Sequence, residues 1–465
     1  MNKSASNLSR RRFLGQCCSA VGTTGILSTL AQLRVIGAVA GSNLDRVRAA
    51  ALPPDYKALV CLFLNGGNDA TNLIIPSDVT SYAAYAKSRA DLALAQSSLL
   101  PITPRRYADG RAWGLHPAVP ALRDLFVQGK LAVLANVGTL VRPTTLADYN
   151  AGKNLPPQLF SHSDQQLQWQ SGVPDKPFET GWGGRLGDLL SALNSSNDIS
   201  MCISIGGGQS FERGNTVSSY IVGSFGVPPM DFGPASPNHG TRIAALRNIL
   251  AGAPPNLLEA AFGSISHDAL NDSDTLRAAL QSAPALKTTF PGNDLAGQLA
   301  MVARLISVAP TLGLKRQIFF VELAGWDLHA AQITGHGPLL AELSGAMKAF
   351  YDATVELGVA NQVTTFTASD FGRTYIPNAG GTDHGWGNHQ LIMGGAVQGG
   401  EFYGTMPSLA VGANDDTGRG RWIPSTSVDE YSATLARWFG VSDTNLPVVV
   451  PNLGRFAKPN LGFMG

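Results

Sequence analysis

Polar and apolar positions alternate between two periods along the chain. Ala58-Leu59-Val60-Cys61-Leu62-Phe63-Leu64 is a continuous apolar run that stops at Asn65-Gly66-Gly67-Asn68-Asp69. A strand buried on both faces has this form, and in a parallel sheet the loop at its carboxyl end faces the ligand crevice. Similar runs occupy 131–137, 318–323 and 363–368, each ending in Gly or polar residues, with shorter candidates at 390–393 and 201–205. Between them, helical periodicity covers about 117–129, 182–194, 240–251, 274–283, 293–309, 338–357 and 428–439. This order predicts an α/β fold: a doubly wound, mostly parallel sheet with helices on both faces. Residues 396–426 read as hairpins and loops, and the Gly/Pro/Ser/Asn-rich stretch 223–240 as a loop or joint. A cap or insertion is expected around 206–290, within one domain spanning 41–465.

The first forty residues follow another logic. Ser9-Arg10-Arg11-Arg12-Phe13-Leu14 precedes a moderately apolar stretch, Gly15 to Leu33, and Ala38-Val39-Ala40 supplies the small residues of a cleavage site. This resembles a twin-arginine signal, with Arg10, Arg11, Phe13 and Leu14 as its recognition residues and the twin-arginine translocase as the partner during export. The stretch is too polar for a comfortable membrane span. The expected destination is the periplasm or cell envelope.

The 465 residues carry 34 Lys plus Arg against 33 Asp plus Glu, a net charge of +1. That balance gives no support for nucleic-acid binding. It is also a sum of two unlike parts: residues 1–40 hold five basic and no acidic residues, which leaves a mildly acidic body of −4. Beyond the leader only Cys61 and Cys202 remain, so a disulfide framework or Cys-rich zinc site is not indicated.

Acidic and imidazole groups gather at predicted strand ends far apart in sequence: Asp69; Asp327 and His329 in Gly325-Trp326-Asp327-Leu328-His329; Asp370 in Ser369-Asp370-Phe371-Gly372-Arg373; and Asp383, His384 and His389 in the segment 381–389. In a parallel sheet these ends open onto one edge, where separate loops converge. Carboxylate and imidazole donors together suit zinc, manganese or iron. Each residue has a plainer alternative: Asp69 as a cap, Asp327 and His329 as stabilisers of their own turn, the histidines as ordinary loop residues. Ser161 precedes a helix-competent segment and is either a nucleophile near an anion-favouring helix N-terminus or an N-cap. Thr71 is the reserve nucleophile. Arg373 either clamps an anionic ester or pairs with a neighbouring carboxylate.

The leader, Leu64-Asn65-Gly66-Gly67-Asn68-Asp69, Phe160-Ser161-His162-Ser163-Asp164, Gly325–His329, Ser369–Thr374 and Gly381-Thr382-Asp383-His384-Gly385 resemble, in order and spacing over nearly the whole mature chain, the bacterial exported family known as domain of unknown function 1501. That family is similar in fold to the alkaline phosphatase and sulfatase superfamily. The resemblance implies a divalent-metal site, zinc first with manganese, iron or calcium as alternatives, and hydrolysis or transfer of a small anionic phosphate or sulfate ester through a Ser, Thr or modified Cys nucleophile. It implies Asp69, Asp327, His329, Asp370 and His384 as ligands. Phe371 departs from the pattern, since the superfamily has His there. Either Asp383 or His389 compensates, or one metal is held, or the site is degenerate. In that last case the chain is a non-catalytic envelope protein that binds or assembles with a partner. The formylglycine signature of sulfatases, Cys-x-Pro-x-Arg, is absent.

Overall fold

The computed structural model describes residues 54–177, 179–194, 199–217, 219–227, 239–252 and 256–465. The leader residues Arg10, Arg11, Phe13 and Leu14 lie outside them. In chain order the strands are β1 (Lys57–Asn65), β2 (Ile74–Pro76), β3 (Leu100–Ile102), β4 (Trp113–Leu115), β5 (Leu131–Gly138), β6 (Cys202–Ser204), β7 (Tyr220–Ile221), β8 (Arg316–Ala324), β9 (Val363–Ser369), β10 (Asn388–Gly394), β11 (Phe402–Gly404) and β12 (Thr426–Ser427). Nine form one sheet in the order β11-β5-β10-β9-β1-β8-β6-β7, with β12 also paired to β5; β2, β4 and β3 make a small antiparallel sheet.

The central strand explains the continuous apolar run. Ala58, Val60, Leu62 and Leu64 pack into one core cluster, while Leu59, Cys61 and Phe63 pack into a second on the opposite face. Successive side chains of a strand point to opposite faces, so a strand covered twice has no position to spare for a polar residue. The helices Pro120–Val127, Asp294–Ser307 and Gln332–Glu356 cover the first face, and Trp182–Leu190 and Val428–Phe439 the second. Each fully buried aliphatic or aromatic side chain contributes roughly 1.5–3 kcal/mol. Local signals fix the helix starts: Ser427 and Glu430 form a reciprocal capping box, and the Asn293 side chain accepts from Ala296 N. Cys61 and Cys202 are free, buried thiols.

One strand takes a direction the sequence left open, and two expectations need correction. β10 runs antiparallel to both β5 and β9, because the connection from β9 contains no crossover helix to return the chain in the parallel sense. Of the hairpins and loops expected in 396–426 the loops predominate: β11 pairs in parallel with β5, and within the segment an isolated antiparallel bridge joins Asp416 to Trp422. Asp416 organises that loop by accepting from the backbone N–H groups of Gly412, Gly418, Gly420 and Arg421, a role short polar side chains fill in turns. Finally, two helices begin earlier than their periodicity suggests. One runs Leu257–Gln281, and the other starts at Gln332 with Pro338 inside it, so His336 lies a turn into the helix. Among the described residues no helix is long and apolar enough to cross a membrane.

Candidate metal centre

β1, β5, β8 and β9 are mutually parallel in direction, so their carboxyl ends share one edge, and the antiparallel β10 begins at that same edge. The loop after β1 is shaped by Gly66 (φ 118°) and Gly67 (φ 82°), in the left-handed region that favours glycine. A Cβ on Gly66 would stand 2.6 Å from Asp327 N, and one on Gly67 2.6 Å from the Phe371 ring. Their lack of side chains lets the loops carrying Asp327 and Phe371 close over the end of β1.

Three histidines meet at Asp327. His162, the first residue of the helix His162–Ser171, places Nε2 3.4 Å from Asp327 Oδ2 and 3.1 Å from His384 Nε2. His384 Nε2 lies 3.3 Å from Asp327 Oδ1, and His329 Nε2 lies 3.0 Å from that oxygen and 2.9 Å from His384 Nε2. His162, Asp327 and His384 form a group of three whose donor atoms all lie within 4.8 Å of one another, and His329 adjoins it at the distances just given.

Hydrogen bonding behind the cluster decides what these nitrogens offer. His384 Nδ1 lies 2.6 Å from Phe160 O, which can only accept, so Nδ1 carries the proton and Nε2 a lone pair. His162 Nδ1 lies 2.7 Å from Asp370 Oδ2, an oxygen that also accepts from Gln166 Nε2 at 2.8 Å, while Asp370 Oδ1 accepts from Gly66 N at 3.0 Å. In neutral His162 the Nε2 is therefore a lone pair as well. Two imidazole lone pairs and a carboxylate facing one another repel unless a proton or a cation stands between them. The neighbour spacings of 2.9–3.4 Å match the ~3.3 Å edge of a tetrahedron whose zinc–ligand distances are about 2.0–2.1 Å. The donor set thus fits a divalent ion such as zinc.

Electrostatics point the same way. The hydrogen bond to Asp370 raises the His162 pKa against the opposing effect of burial, whereas burial lowers that of His384. Burial would raise the Asp327 carboxyl, but the Arg373 hydrogen bond and charge outweigh it and hold the group below its ordinary value. Phe371 stacks on His384 with ring centroids 4.6 Å apart and lies 4.8 Å from His162. The residue that cannot bind a metal serves as a platform for two that can.

The remaining sequence candidates are placed elsewhere. Asp69 is 2% exposed and is paired with Arg89; it also accepts from Thr71 Oγ1 and Gln332 Nε2, so neither oxygen is left to face the cluster. Its carboxyl is held low despite burial, chiefly by Arg89. Asp370 is fully buried behind His162 rather than beside Asp327. Asp383 stands behind His329, with Oδ1 3.4 Å from Nδ1, and is itself gripped by Arg419 and Asn378. His389 is buried in β10 and accepts from Asn136 N at 3.0 Å; burial pushes its pKa down to about 4. Arg373 is occupied by Asp327, Gly66 O and both polar groups of Thr382, so of its two readings the structure has the carboxylate pair. Ser161 flanks the helix start without a side-chain capping bond, and its hydroxyl donates to Asp164 Oδ2 at 2.6 Å. Thr71 is tied to Asp69 at 2.6 Å. Sequence reasoning missed His162 as a candidate ligand. Its signal was its place in the motif with Ser161, beside a helix start and ahead of the buried glutamines of that helix. A cavity of about 300 Å³ lined by Leu140, Thr144, Gly404, Glu430, Phe456 and Lys458 does not include the cluster.

A family model described as "Protein of unknown function (DUF1501)" matches residues 268–446. The match is thus narrower than the nearly whole-chain resemblance read from the motifs. It includes Asp327, His329, Asp370, Arg373 and His384, and leaves out Asp69 and His162. None of the curated proteins compared matches the chain. Distant solved structures include the PsFucS1 sulfatase from Pseudoalteromonas sp. (10% identity, TM-score 0.34, covering 84% of this chain and 68% of that one). Another is a protein in the alkaline phosphatase superfamily from Vibrio parahaemolyticus (11%, 0.37, 91% and 77%). A third is the C-terminal periplasmic domain of EcEptC from Escherichia coli (11%, 0.32, 90% and 93%). The assignment of a mostly parallel α/β sheet stands on the strand order and register described above.

Proposed function

We propose that this protein is an exported, metal-dependent hydrolase of phosphate or sulfate esters whose metal is held by His162, Asp327 and His384, with His329 adjoining. The observation that carries the reading is the convergence of imidazole lone pairs on Asp327 at the carboxyl edge of the sheet. A divalent cation bound there, zinc in the first instance, supplies electrostatic stabilisation to the charge of a developing oxyanion. The chain's own residues do the rest. Asp370 and the Phe160 carbonyl fix the tautomers of His162 and His384, Arg373 fixes Asp327, and Phe371 walls one side of the centre. Ser161, next to the ligand His162, is the candidate nucleophile, with Asp164 accepting its proton. Export rests on the twin-arginine leader and takes the folded chain to the periplasm or envelope.

One set of observations favours a second reading, a non-catalytic envelope protein that keeps the fold for binding or assembly: Arg373 and Thr71, the side chains suited to a substrate anion or to attack, are engaged by protein partners. Metal analysis of the exported protein, zinc titration, and a panel of phosphate and sulfate esters on wild type and Asp327→Asn test both. Stoichiometric zinc with Asp327-dependent turnover is expected. Zinc without turnover leaves the binding reading, and no bound metal of any kind removes the hydrolase and leaves a binding protein with a degenerate site.

A further inference from the structure

Phe160 is a bulky residue at φ 72°, in the left-handed region where a non-glycine side chain is strained. It ends a tight turn in which Ser161 N bonds Gln158 O at 3.1 Å, and that turn aims the Phe160 carbonyl at His384 Nδ1, 2.6 Å away. The strained residue does not stand alone. The Arg421 guanidinium lies over the Phe160 ring, 5.1 Å from its centroid, and the same side chain donates from Nε to the backbone oxygen of His384 at 2.8 Å. Arg421 in turn leaves the loop organised by Asp416, which accepts from its backbone N–H at 3.1 Å. A closed circuit results: Arg421 holds the ring of Phe160 and the backbone of His384, and Phe160 holds the imidazole of His384.

From this circuit we infer that Phe160 and Arg421 are positioning residues that lock His384 in its Nδ1–H tautomer before metal arrives, so that Nε2 faces Asp327 as a preformed donor. The inference rests on the metal reading above. A free histidine divides between its tautomers, and one held with the proton on Nε2 would point a donor rather than a lone pair into the centre. The strain at Phe160 is retained because relaxing it would swing the carbonyl away from Nδ1. Arg421 opposes that relaxation through the cation–π contact and the anchored backbone.

The test uses the full-length, metal-free protein with ¹⁵N-labelled histidine. There are eight histidines, and the His384 signal is assigned by its loss in His384→Gln. Long-range proton–nitrogen correlations at pH 8 should show the Nδ1–H tautomer alone in wild type and a mixture in Arg421→Gln. Zinc affinity should fall roughly 10- to 100-fold with it, the size typical of losing a group that orients a metal-bound histidine. Phe160→Gly keeps the carbonyl and accepts the positive φ without strain, so it should retain the Nδ1–H tautomer and restore it when combined with Arg421→Gln. An unchanged tautomer in Arg421→Gln overturns the lock, as does zinc affinity of that variant within about threefold of wild type. If wild type binds no zinc, the metal reading fails, while the tautomer ratio still decides the lock.

Discussion

Asp327 and Asp69 each follow a parallel strand of the central sheet and each contacts an arginine, yet their surroundings give them opposite roles. Asp69 is enclosed: Arg89, Gln332 and Thr71 take up its oxygens, and His336 and His116 are buried nearby, their pKa values pushed down by burial to about 3 and about 4. Asp327 is 44% exposed, and besides Arg373 it faces three imidazole nitrogens, of which those of neutral His162 and His384 have no proton to share with it because their rings donate elsewhere. In the first region the carboxylate is fully paired; in the second it faces imidazole lone pairs. A motif with Asp after a strand does not distinguish them. The accounting of every donor and acceptor does.

The sharpest way to break this contrast is Asp69→Ala. It leaves the fully buried Arg89 without its carboxylate, and we expect a loss of about 3–5 kcal/mol in denaturant unfolding while zinc affinity of the folded fraction stays near wild type. Lost zinc affinity with retained stability would reverse the roles assigned to the two carboxylates. The complementary change, His162→Ala, should weaken zinc binding by at least ~100-fold, beyond the loss expected for the residues behind the ligands. Its stability should change little in the absence of metal, since His162 is partly exposed. Calorimetric titration against chemical denaturation separates the two effects.

How far the sequence could lead follows from the same contrast. The apolar runs at 58–64, 131–137, 318–323 and 363–368 are all strands of the sheet, because a two-sided core admits few other patterns. The antiparallel sense of β10 was not legible, since strand direction is set by the connection rather than by the strand's own residues. At the site, Asp327, His329 and His384 were found because they lie near strand ends with unusual chemistry. Asp69 and His389 shared that signal, and only long-range partners, Arg89 and Gln332 for one and Asn136 for the other, separate them from the cluster. His162 is contributed by a helix start, where no strand-end rule looks. Its role emerges only when Asp370, 208 residues away, is seen against it.

The enclosed region also has its own pH signature. His336 Nε2 donates to Asn68 Oδ1 and its Nδ1 has no partner, so the Asp69 carboxylate is the main group favouring the charged form, and burial outweighs it. Its folded pKa of about 3 lies below the unfolded value near 6.5. The stability from keeping it neutral is present above pH 6.5 and is lost as pH falls toward the folded value. Between pH 6.5 and 5 this histidine alone should cost about 2 kcal/mol. In His336→Asn the unfolding free energy should decline less over that interval by about that amount, and equal slopes would show that His336 charges as readily in the fold as out of it.

The smallest expected effect on stability is the one that bears most on chemistry. Ser161 begins a helix, and a serine there ordinarily contributes through a side-chain hydrogen bond to the first turn, whose loss on mutation to alanine costs about 1 kcal/mol. In this fold the hydroxyl is turned to Asp164 Oδ2 instead and makes no capping bond. Ser161→Ala should therefore change unfolding free energy by less than about 0.5 kcal/mol, the range of ordinary surface substitutions. Zinc affinity should be untouched. If the open region is an active site, ester turnover should nevertheless collapse, because the hydroxyl is oriented by a carboxylate beside the proposed ligand His162 rather than spent on the helix. A stability loss near 1 kcal/mol with full turnover would assign Ser161 to capping, and would leave the cluster around Asp327 as a metal centre without a serine nucleophile.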